Sequence, residues 1–438
     1  MRLEPGMGIA ARIAAAAALA LLALPAAADD GERIRDLERR LEKSMQLVEQ
    51  LGARVLELER RQRAGAPAPA AAPRAAATPR QDERIEALER SVTQLSTGGG
   101  ARGFDFGVPL HGFADVGYEH SKRAAHDGRK SGFVVGNLDF YLTPGFGDRV
   151  KSLVELVFEV ESDGGLLTDL ERIQLGYTFS DALTAWVGRF HTPYGYWNTG
   201  FHHGVQLQTA ASRPRFIEFE DKGGIMATHS VGLWLTGQAG FGRGRAFYDA
   251  YVANGSRVAG GIVEFNGFRD DNASKAYGAR VGYRFGGALD GLTLGLHAMH
   301  DRIEAEGPAG RHSVDLAMGG GFVVLERGDW EAIGEYYGLR NRDREAGGAR
   351  RSSWAAFLQL GRTFAESWTP YLRWEKAQLD ADDLYFASLE FGRTYRRGVL
   401  GLRYDLNSRA ALKLEAARMR EGGEGSRSEA RAQFAVRF

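Results

Sequence analysis

From about residue 104 to the end of the chain, apolar and polar residues alternate with a period of two, which predicts strands with one apolar and one polar face. The closing octapeptide, RAQFAVRF, shows this pattern and ends on the apolar Phe438. Because a final strand of this kind needs a neighbour, pairing with the first strand would leave no open edge. The segments predicted as strands are 108–121, 131–143, 149–162, 168–180, 182–192, 226–238, 243–254, 274–286, 289–303, 311–326, 329–341, 350–364, 366–379, 395–406, 408–420 and 428–438.

The connections between these segments alternate in length. Short turns at 180–181, 326–329, 365–367 and 406–409 contrast with longer loops at 193–225, 255–273 and 380–394. Antiparallel barrels of outer membranes have tight periplasmic turns and long external loops, whereas a soluble β-sandwich has shorter strands and less regular loops. The predicted fold is therefore all-β, with an approximately 16-stranded antiparallel transmembrane β-barrel over residues 104–438.

The first residues predict export. Arg2 and Arg12 precede an apolar run at 13–24, and three alanines at 26–28 form a small-residue cleavage site. Residues 1–28 are therefore predicted to be a signal peptide. The alternative, a retained transmembrane helix, is disfavoured because the run is shorter than the roughly 20 residues that span a bilayer.

Residues 29–63 follow a heptad pattern that predicts an α-helical coiled coil, and a Pro/Ala-rich linker at 64–80 separates it from a shorter second coiled-coil segment at 81–97. A single amphipathic helix that packs on its own domain is the alternative. Self-association in the periplasm is favoured because the linker separates the helix from the barrel. The heptad spacing is compatible with a two-stranded or a three-stranded coiled coil. The apolar heptad positions are Ile34, Leu37, Leu41, Val48, Leu51, Val55 and Leu58, then Ile85, Leu88, Val92 and Leu95.

Composition narrows the chemistry. There is no cysteine, which excludes disulfides and thiolate catalysis, and 56 basic residues balance 56 acidic ones, which gives no argument for nucleic-acid binding. His191, His202 and His203 lack the spacing of a metal site. No serine lies in a recognisable nucleophile motif. We therefore expect no cofactor, no metal and no catalytic residues.

A barrel of about sixteen strands is wide enough to enclose an aqueous channel. By alternation, the charged face of each strand should line this channel. Because residues of both charges are expected to line the channel, we predict a transverse electric field across a general diffusion pore. The alternative interpretation is that these residues simply form the polar inner wall and pair with one another in salt bridges. The pore-lining candidates are the basic Arg172, Arg280, Arg284, Arg373, Arg397, Arg403 and Arg437, and the acidic Asp115, Glu119, Asp139, Glu155, Glu159 and Glu335.

The longest loop, at 193–225, has no strand pattern of its own and is the best candidate for a segment that folds into the pore. If it does, its charges meet the wall at the narrowest point. The constriction-loop candidates are His202, His203, Arg213, Arg215, Glu218, Glu220, Asp221 and Lys222.

The stretch GRFHTPYG at 188–195, between a strand and this loop, resembles an element of the phosphate-selective porin family, the anion porins of Gram-negative outer membranes. The residues that match are Gly188, Arg189, Phe190, Pro193, Tyr194 and Gly195. The resemblance implies a trimeric porin. The lysine-rich lining of that family is not matched, because only 8 of the 56 basic residues are Lys; Arg can also bind phosphate bidentately.

The favoured hypothesis is thus an outer-membrane porin for passive diffusion of small hydrophilic solutes, with or without anion preference. A structural tether that uses the periplasmic coiled coil and an outer-membrane enzyme are the alternatives. The expected partners are outer-membrane lipid, further copies of the chain with a trimer favoured, and small hydrophilic or anionic solutes.

Overall fold

The computed structural model describes residues 110–121, 131–160, 164–201, 203–220, 222–267, 269–307, 310–345, 347–423 and 425–438. The predicted signal peptide, both coiled-coil segments and the linker between them lie outside the described residues. No helix in the described ranges is long and apolar enough to cross a membrane.

The described chain forms one closed antiparallel barrel whose wall has sixteen strands, which confirms the predicted fold class and strand number. Each predicted segment coincides with one wall strand. Two further short strands, β8 and β9, form a hairpin between wall strands. The strands are β1 (Leu110–Ser121), β2 (Ser131–Leu142), β3 (Val150–Val160), β4 (Leu166–Ser180), β5 (Leu183–His191), β6 (His229–Phe241), β7 (Gly244–Asn254), β8 (Ser256–Ala259), β9 (Ile262–Phe265), β10 (Lys275–Arg284), β11 (Leu292–Gly307), β12 (Gly310–Arg327), β13 (Trp330–Asp343), β14 (Arg350–Arg362), β15 (Trp368–Gln378), β16 (Tyr395–Asn407), β17 (Ala410–Glu421) and β18 (Gly425–Arg437).

The barrel closes between β18 and β1. In this register Phe113 lies opposite Arg437 and Glu119 opposite Arg431. The main chains of Gly112 and Phe438 exchange two hydrogen bonds of 3.0 Å, so pairing continues to the last residue. The terminal strand is therefore part of the wall, and the described wall strands leave no open edge in lipid, where each unpaired amide would cost several kcal/mol.

The two ends of the barrel differ. At one end, here called the short-turn end, strands are joined by tight connections such as 181–182, 242–243, 328–329 and 408–409. The other, the long-loop end, carries 192–228, 255–274 and 379–394. Two short helices, α1 (Trp197–Gly200) and α2 (Leu384–Ser388), lie in these loops. The predicted alternation of short and long connections is therefore present.

The outer surface of the wall is apolar. Outward side chains such as Leu233, Leu296 and Leu400 are at least half exposed, as a lipid-facing band requires. Exposed aromatic residues at the short-turn end include Phe179, Phe241, Trp330, Phe364, Trp368 and Phe438.

The inner surface is not uniformly polar. On β11–β13 the inward positions are largely apolar and buried, and they belong to one hydrophobic cluster with residues of loop 192–228. Alternation alone assigns one apolar face to lipid, but here apolar residues occupy both faces because the loop covers the inner one. The inward apolar residues are Met299, Ile303, Val314, Leu316, Met318, Phe322, Val324, Ile333 and Leu339.

Candidate pore and lumen loop

The segment 192–228 is here called the lumen loop, and its described residues lie inside the barrel. Trp197, Phe216 and Ile217 of this loop are buried in the cluster with the inward side chains of β11–β14. The loop starts at the long-loop end, and its middle extends far down the lumen, where Gln206 Nε2 donates to the carbonyl of Ser408 in a short turn at 3.4 Å. The loop therefore occupies much of the depth of the barrel.

The entry to the lumen loop is fixed by two of the predicted pore-lining residues. Glu335 accepts hydrogen bonds from the main-chain amides of Tyr196 at 3.1 Å and Trp197 at 2.7 Å. Arg280 donates to the carbonyl of Gly195 at 2.9 Å. Gly195 has a φ of 58°, and a Cβ there would overlap the Glu335 carboxylate. The last glycine of GRFHTPYG is therefore needed for both backbone conformation and close approach.

The middle of the loop is held by guanidinium groups of the wall. Arg373 donates to the carbonyls of Ser212 at 2.9 Å and Arg213 at 3.1 Å, and Arg397 donates to Ser212 Oγ at 3.2 Å. Glu375 pairs with both guanidiniums, at 2.8 and 3.1 Å. These two arginines are buried and compensated, so they bind main chain instead of open solvent.

Two further basic residues, Arg403 and Lys413, hold residues 205–210 of the loop. Arg403 donates to the carbonyls of Gln206 at 2.7 Å and Gln208 at 2.8 Å, while Asp405 neutralises it at 2.6 Å. Lys413 donates to two further loop carbonyls, those of residues 205 and 210. Carbonyl oxygens that would otherwise be buried without partners are thereby satisfied.

Glu415 is the acceptor at the centre of this contact, and the sequence analysis did not name it. It accepts from the main-chain amides of Ala211 at 3.1 Å and Ser212 at 3.2 Å, and from Tyr371 Oη at 2.8 Å. Glu415 and Lys413 both lie on the polar face of β17, so the same alternation rule could have found them.

The far part of the loop meets a histidine and carboxylate cluster. Glu171 lies 3.2 Å from His203 Nε2 and 2.5 Å from His229 Nε2. Glu220 accepts from the main-chain amide of Thr228 at 2.7 Å. Burial acts to raise the pKa of Glu220, but hydrogen bonds and the charge of His229 outweigh burial and hold this pKa below its ordinary value. Glu220 is therefore ionised, which favours its contact with His229.

His191 lies beside this cluster, 3.6 Å from Glu155. Glu155 and Asp139 are fully buried, and Arg172 donates to Glu155. Within the described ranges, no three His, Asp or Glu side chains have the geometry of a metal site. The predicted residues His202 and Asp221 lie outside these ranges.

The remaining loop charges are partly neutralised by neighbours. Arg213 lies over the ring of Phe219 at 4.1 Å, and Glu218 is 3.8 Å away. Burial lowers the pKa of Arg213 from its ordinary value. Arg215 lies over the ring of Phe391 at 4.5 Å. These side chains stabilise the loop in its position, and only part of their surface faces the lumen.

Other inward charges stay partly open to solvent. Glu119, 50% exposed, pairs with Arg431, 32% exposed, at 3.3 Å. Lys222 of the lumen loop, 44% exposed, pairs with Glu159 of β3 at 3.3 Å. The first pair joins the neighbouring wall strands β1 and β18, and the second joins the lumen loop to β3. A solvated passage beside the lumen loop would therefore follow this side of the barrel.

Three further candidates lie on the inward face. Asp115 accepts from the side-chain amide of Gln433 at 2.9 Å. Arg284 lies over the ring of Phe247 at 5.5 Å. Arg437 shares the inward face of β18 with Arg431.

Charge is distributed unevenly around the inner wall. On β15–β18 the inward bases outnumber the acids, whereas on β1–β4 the acids outnumber the bases. The first group contains Arg373, Arg397, Arg403, Lys413, Arg427, Arg431 and Arg437 against Glu375, Asp405, Glu415, Glu421 and Glu429, and the second contains Asp115, Glu119, Asp139, Glu155, Glu159, Asp169 and Glu171 against Lys151 and Arg172.

A closed sixteen-stranded antiparallel barrel with an apolar outer band and a long loop inside its lumen is the fold of the outer-membrane porins. The chain is similar to the solved anion-selective porin from Comamonas acidovorans, with a TM-score of 0.54, 14% identity, and coverage of 76% of this chain and 99% of that chain. It is also similar to the outer membrane channel DcaP of Acinetobacter baumannii, with a TM-score of 0.52, 11% identity, and coverage of 76% and 97%.

A third similar structure is OmpT, an outer membrane protein of Vibrio cholerae, with a TM-score of 0.50, 12% identity, and coverage of 76% of this chain and 97% of that chain. No protein-family model and no curated protein matches the chain. At these identities the similarity shows the fold, and the resemblance to outer-membrane porins noted from the sequence is confirmed at that level.

Proposed function

We propose that this protein is an outer-membrane porin through which small hydrophilic solutes diffuse past the lumen loop. The observation that carries the proposal is the set of partly exposed charged side chains on the inner wall and on this loop, represented by Glu119, Arg431 and Lys222. Charged groups inside a closed barrel stay ionised only where water reaches them or a partner compensates them. Their exposure supports a water-filled path on this side of the lumen.

The pore is proposed to be weakly selective. Arg373, Arg397 and Arg403 donate to loop carbonyls and to carboxylates, so they are not available to bind anions. The exposed Arg431 is paired with Glu119, and charges of both signs face the passage. A transverse field of this kind orients dipolar solutes more than it excludes either ion.

The test uses substituted cysteines, because the chain has no native cysteine. In planar bilayers, a charged thiol reagent should lower the conductance of Glu119→Cys and Arg431→Cys, and the residual current should depend on the charge of the reagent. Ala355→Cys, at a buried inward position of β14, is the control and should not react. Equal labelling of all three positions, or labelling at 119 and 431 without any change in current, would place the passage elsewhere.

We further propose that the protein is a trimer in the outer membrane, with the coiled coil in the periplasm. The predicted heptads support self-association, and one similar structure is described as the trimer form of Vibrio cholerae OmpT. Sedimentation of the full mature chain in detergent should give three copies, and removal of residues 29–97 should weaken this assembly. Of the alternatives, neither the tether nor the enzyme is favoured by a specific contact in the described residues.

A further inference from the structure

At the long-loop end, three oxygen atoms converge on Gly255, between β7 and β8. A Cβ built on Gly255 would lie 2.7 Å from Asp301 Oδ1, 3.4 Å from the carbonyl oxygen of Arg302 and 3.6 Å from Asp270 Oδ1. These atoms come from two separate parts of the chain, the wall strand β11 and the loop before β10. We call this arrangement the Gly255 cradle.

Asp301 is the buried member of the cradle. Its side chain faces inward, and only 1% of its surface is exposed. Oδ2 accepts from the main-chain amide of Ser256 at 2.8 Å, but Oδ1 accepts no hydrogen bond from the described residues. A buried carboxylate oxygen without a partner is costly, so Oδ1 requires a cation or a proton.

Asp270 supplies the second carboxylate. Oδ2 pairs with Lys275 at 2.6 Å, whereas Oδ1, the oxygen near Gly255, makes only long contacts of 3.5 Å with Asn266 and Asn272. The neighbouring base Arg302 pairs with a different carboxylate, that of Asp315, at 3.0 Å. The cradle therefore has excess negative charge on the oxygens that face it.

The sequence of the loop suits an oxygen-binding cation. Asp270, Asn272 and Ser274 alternate along the stretch DDNAS, and Asn272 Nδ2 holds the carbonyl of Arg302 in place at 2.9 Å. Ca²⁺ accepts carboxylates, main-chain carbonyls and waters at 2.3–2.6 Å in flexible geometry, whereas Mg²⁺ requires near-ideal octahedral geometry. Two carboxylates and one carbonyl, completed by water, therefore fit Ca²⁺ better.

We propose that the Gly255 cradle binds one Ca²⁺ ion through Asp301 Oδ1, Asp270 Oδ1 and the carbonyl oxygen of Arg302. The ion ties the 255–274 loop to β11 at the mouth of the barrel. With only two carboxylates, the dissociation constant is expected in the weak extracellular range, ~0.1–1 mM. This site is independent of whether solutes pass through the lumen.

The test is calorimetric titration of CaCl2 into the refolded full mature chain in lipid-free detergent at neutral pH. Wild type should bind one Ca²⁺, and Asp301→Asn and Asp270→Asn should each bind about tenfold more weakly or not at all. Gly255→Ala should have the same effect, because the new Cβ would enter the cradle. Glu264→Gln, in the same hairpin but outside the cradle, should bind like wild type.

Hydrogen exchange of the wild-type protein, with and without Ca²⁺, is a second test that does not depend on the folding of any variant. Ca²⁺ should slow exchange in residues 255–274 and at the end of β11, and Mg²⁺ at the same concentration should have a smaller effect. Absence of Ca²⁺-dependent protection there, or Ca²⁺ binding that Asp301→Asn leaves unchanged, would overturn the site and indicate that Asp301 is instead neutralised by a proton.

Discussion

At the scale of single residues, the lumen is defined by buried ionic groups that bind main chain. Arg373, Glu375 and Glu415 form a connected network under the lumen loop, and each side chain has partners of opposite charge or hydrogen-bond donors. Compared with apolar residues of similar volume, such networks add little to the free energy of folding. The loss of one member is nevertheless costly, because it leaves the other charges buried and uncompensated. The network therefore fixes where the loop lies.

Glu415→Ala tests this network. The substitution leaves the amides of Ala211 and Ser212 and the hydroxyl of Tyr371 without their acceptor, so we expect a loss of about 3 kcal/mol or more in the free energy of unfolding. Denaturant titration in detergent, followed by tryptophan fluorescence, measures it. Glu306→Ala, at an exposed outward position, should change stability by less than about 0.5 kcal/mol. Equal effects of the two changes would contradict the role of Glu415.

Asp383 gives a pH-dependent prediction. Burial raises its pKa to about 6 from an ordinary 3.8, and hydrogen bonds from the Tyr385 amide and from Asn341 offset only part of this effect. The folded loop binds the proton more tightly than the unfolded one. The contribution of Asp383 to the stability of the loop is therefore greatest below about pH 4 and falls by roughly 3 kcal/mol as the pH rises from about 4 through 6.

Hydrogen exchange of loop 379–394, corrected for intrinsic rates, should show this loss of protection between pH 4 and 7. Asp383→Asn keeps the N-cap acceptor but does not titrate, so its protection should be independent of pH. Asp382→Asn, at an exposed neighbour, should behave like wild type. A persistent pH dependence in Asp383→Asn would show that another group is responsible.

At the scale of elements, the sequence predicts the wall well and the lumen less well. All sixteen wall strands could be located, because each keeps its alternation over a long segment. The hairpin of β8 and β9 was missed because four residues are too few to show a period. The alternation of side chains along β15 predicts that Arg373 faces the lumen. The burial of Arg373, however, depends on packing against the lumen loop, which lies far away in sequence.

The lumen loop also explains why the alternation of polar and apolar residues fails to identify the inward face of β11 and β12. On β11 and β12 inward residues such as Met299 and Met318 are as apolar as outward Leu296, so alternation does not distinguish lumen from lipid. Burial against apolar residues of the lumen loop, Trp197 and Phe216 among them, makes an apolar inner face stable. Long-range contacts of this kind leave no local signal in the sequence.

Shortening the lumen loop is the corresponding test. Replacement of residues 203–222 by a short Gly/Ser linker removes the chain that occupies the lumen, and we expect single-channel conductance to rise roughly twofold or more. Replacement of residues 344–348 of the loop between β13 and β14, at the same end of the barrel, is the control and should change conductance much less. An unchanged conductance after the first replacement would mean that the lumen loop does not limit flow.

At the scale of the whole molecule, the uneven inner charge and the paired arginines together predict a pore with weak ion preference. The proposed passage is bordered by Arg431 on β18 and Glu119 on β1, so reversal of the charge at residue 431 should shift the ion preference. Arg431→Glu should move the reversal potential toward cation preference, while Arg327→Glu, at the exposed, outward-facing end of β12, should not. Identical reversal potentials for the two variants would place the selectivity elsewhere.

The central claim is that the barrel conducts small ions through a passage beside the lumen loop. Single-channel recording of the refolded full mature chain in a planar bilayer under a KCl gradient tests it most directly. We predict stepwise conductance with a reversal potential near zero, little changed by added phosphate. A correctly folded barrel that stays silent would contradict the porin function, and strong anion selectivity with block by phosphate would contradict the neutralised lumen described above.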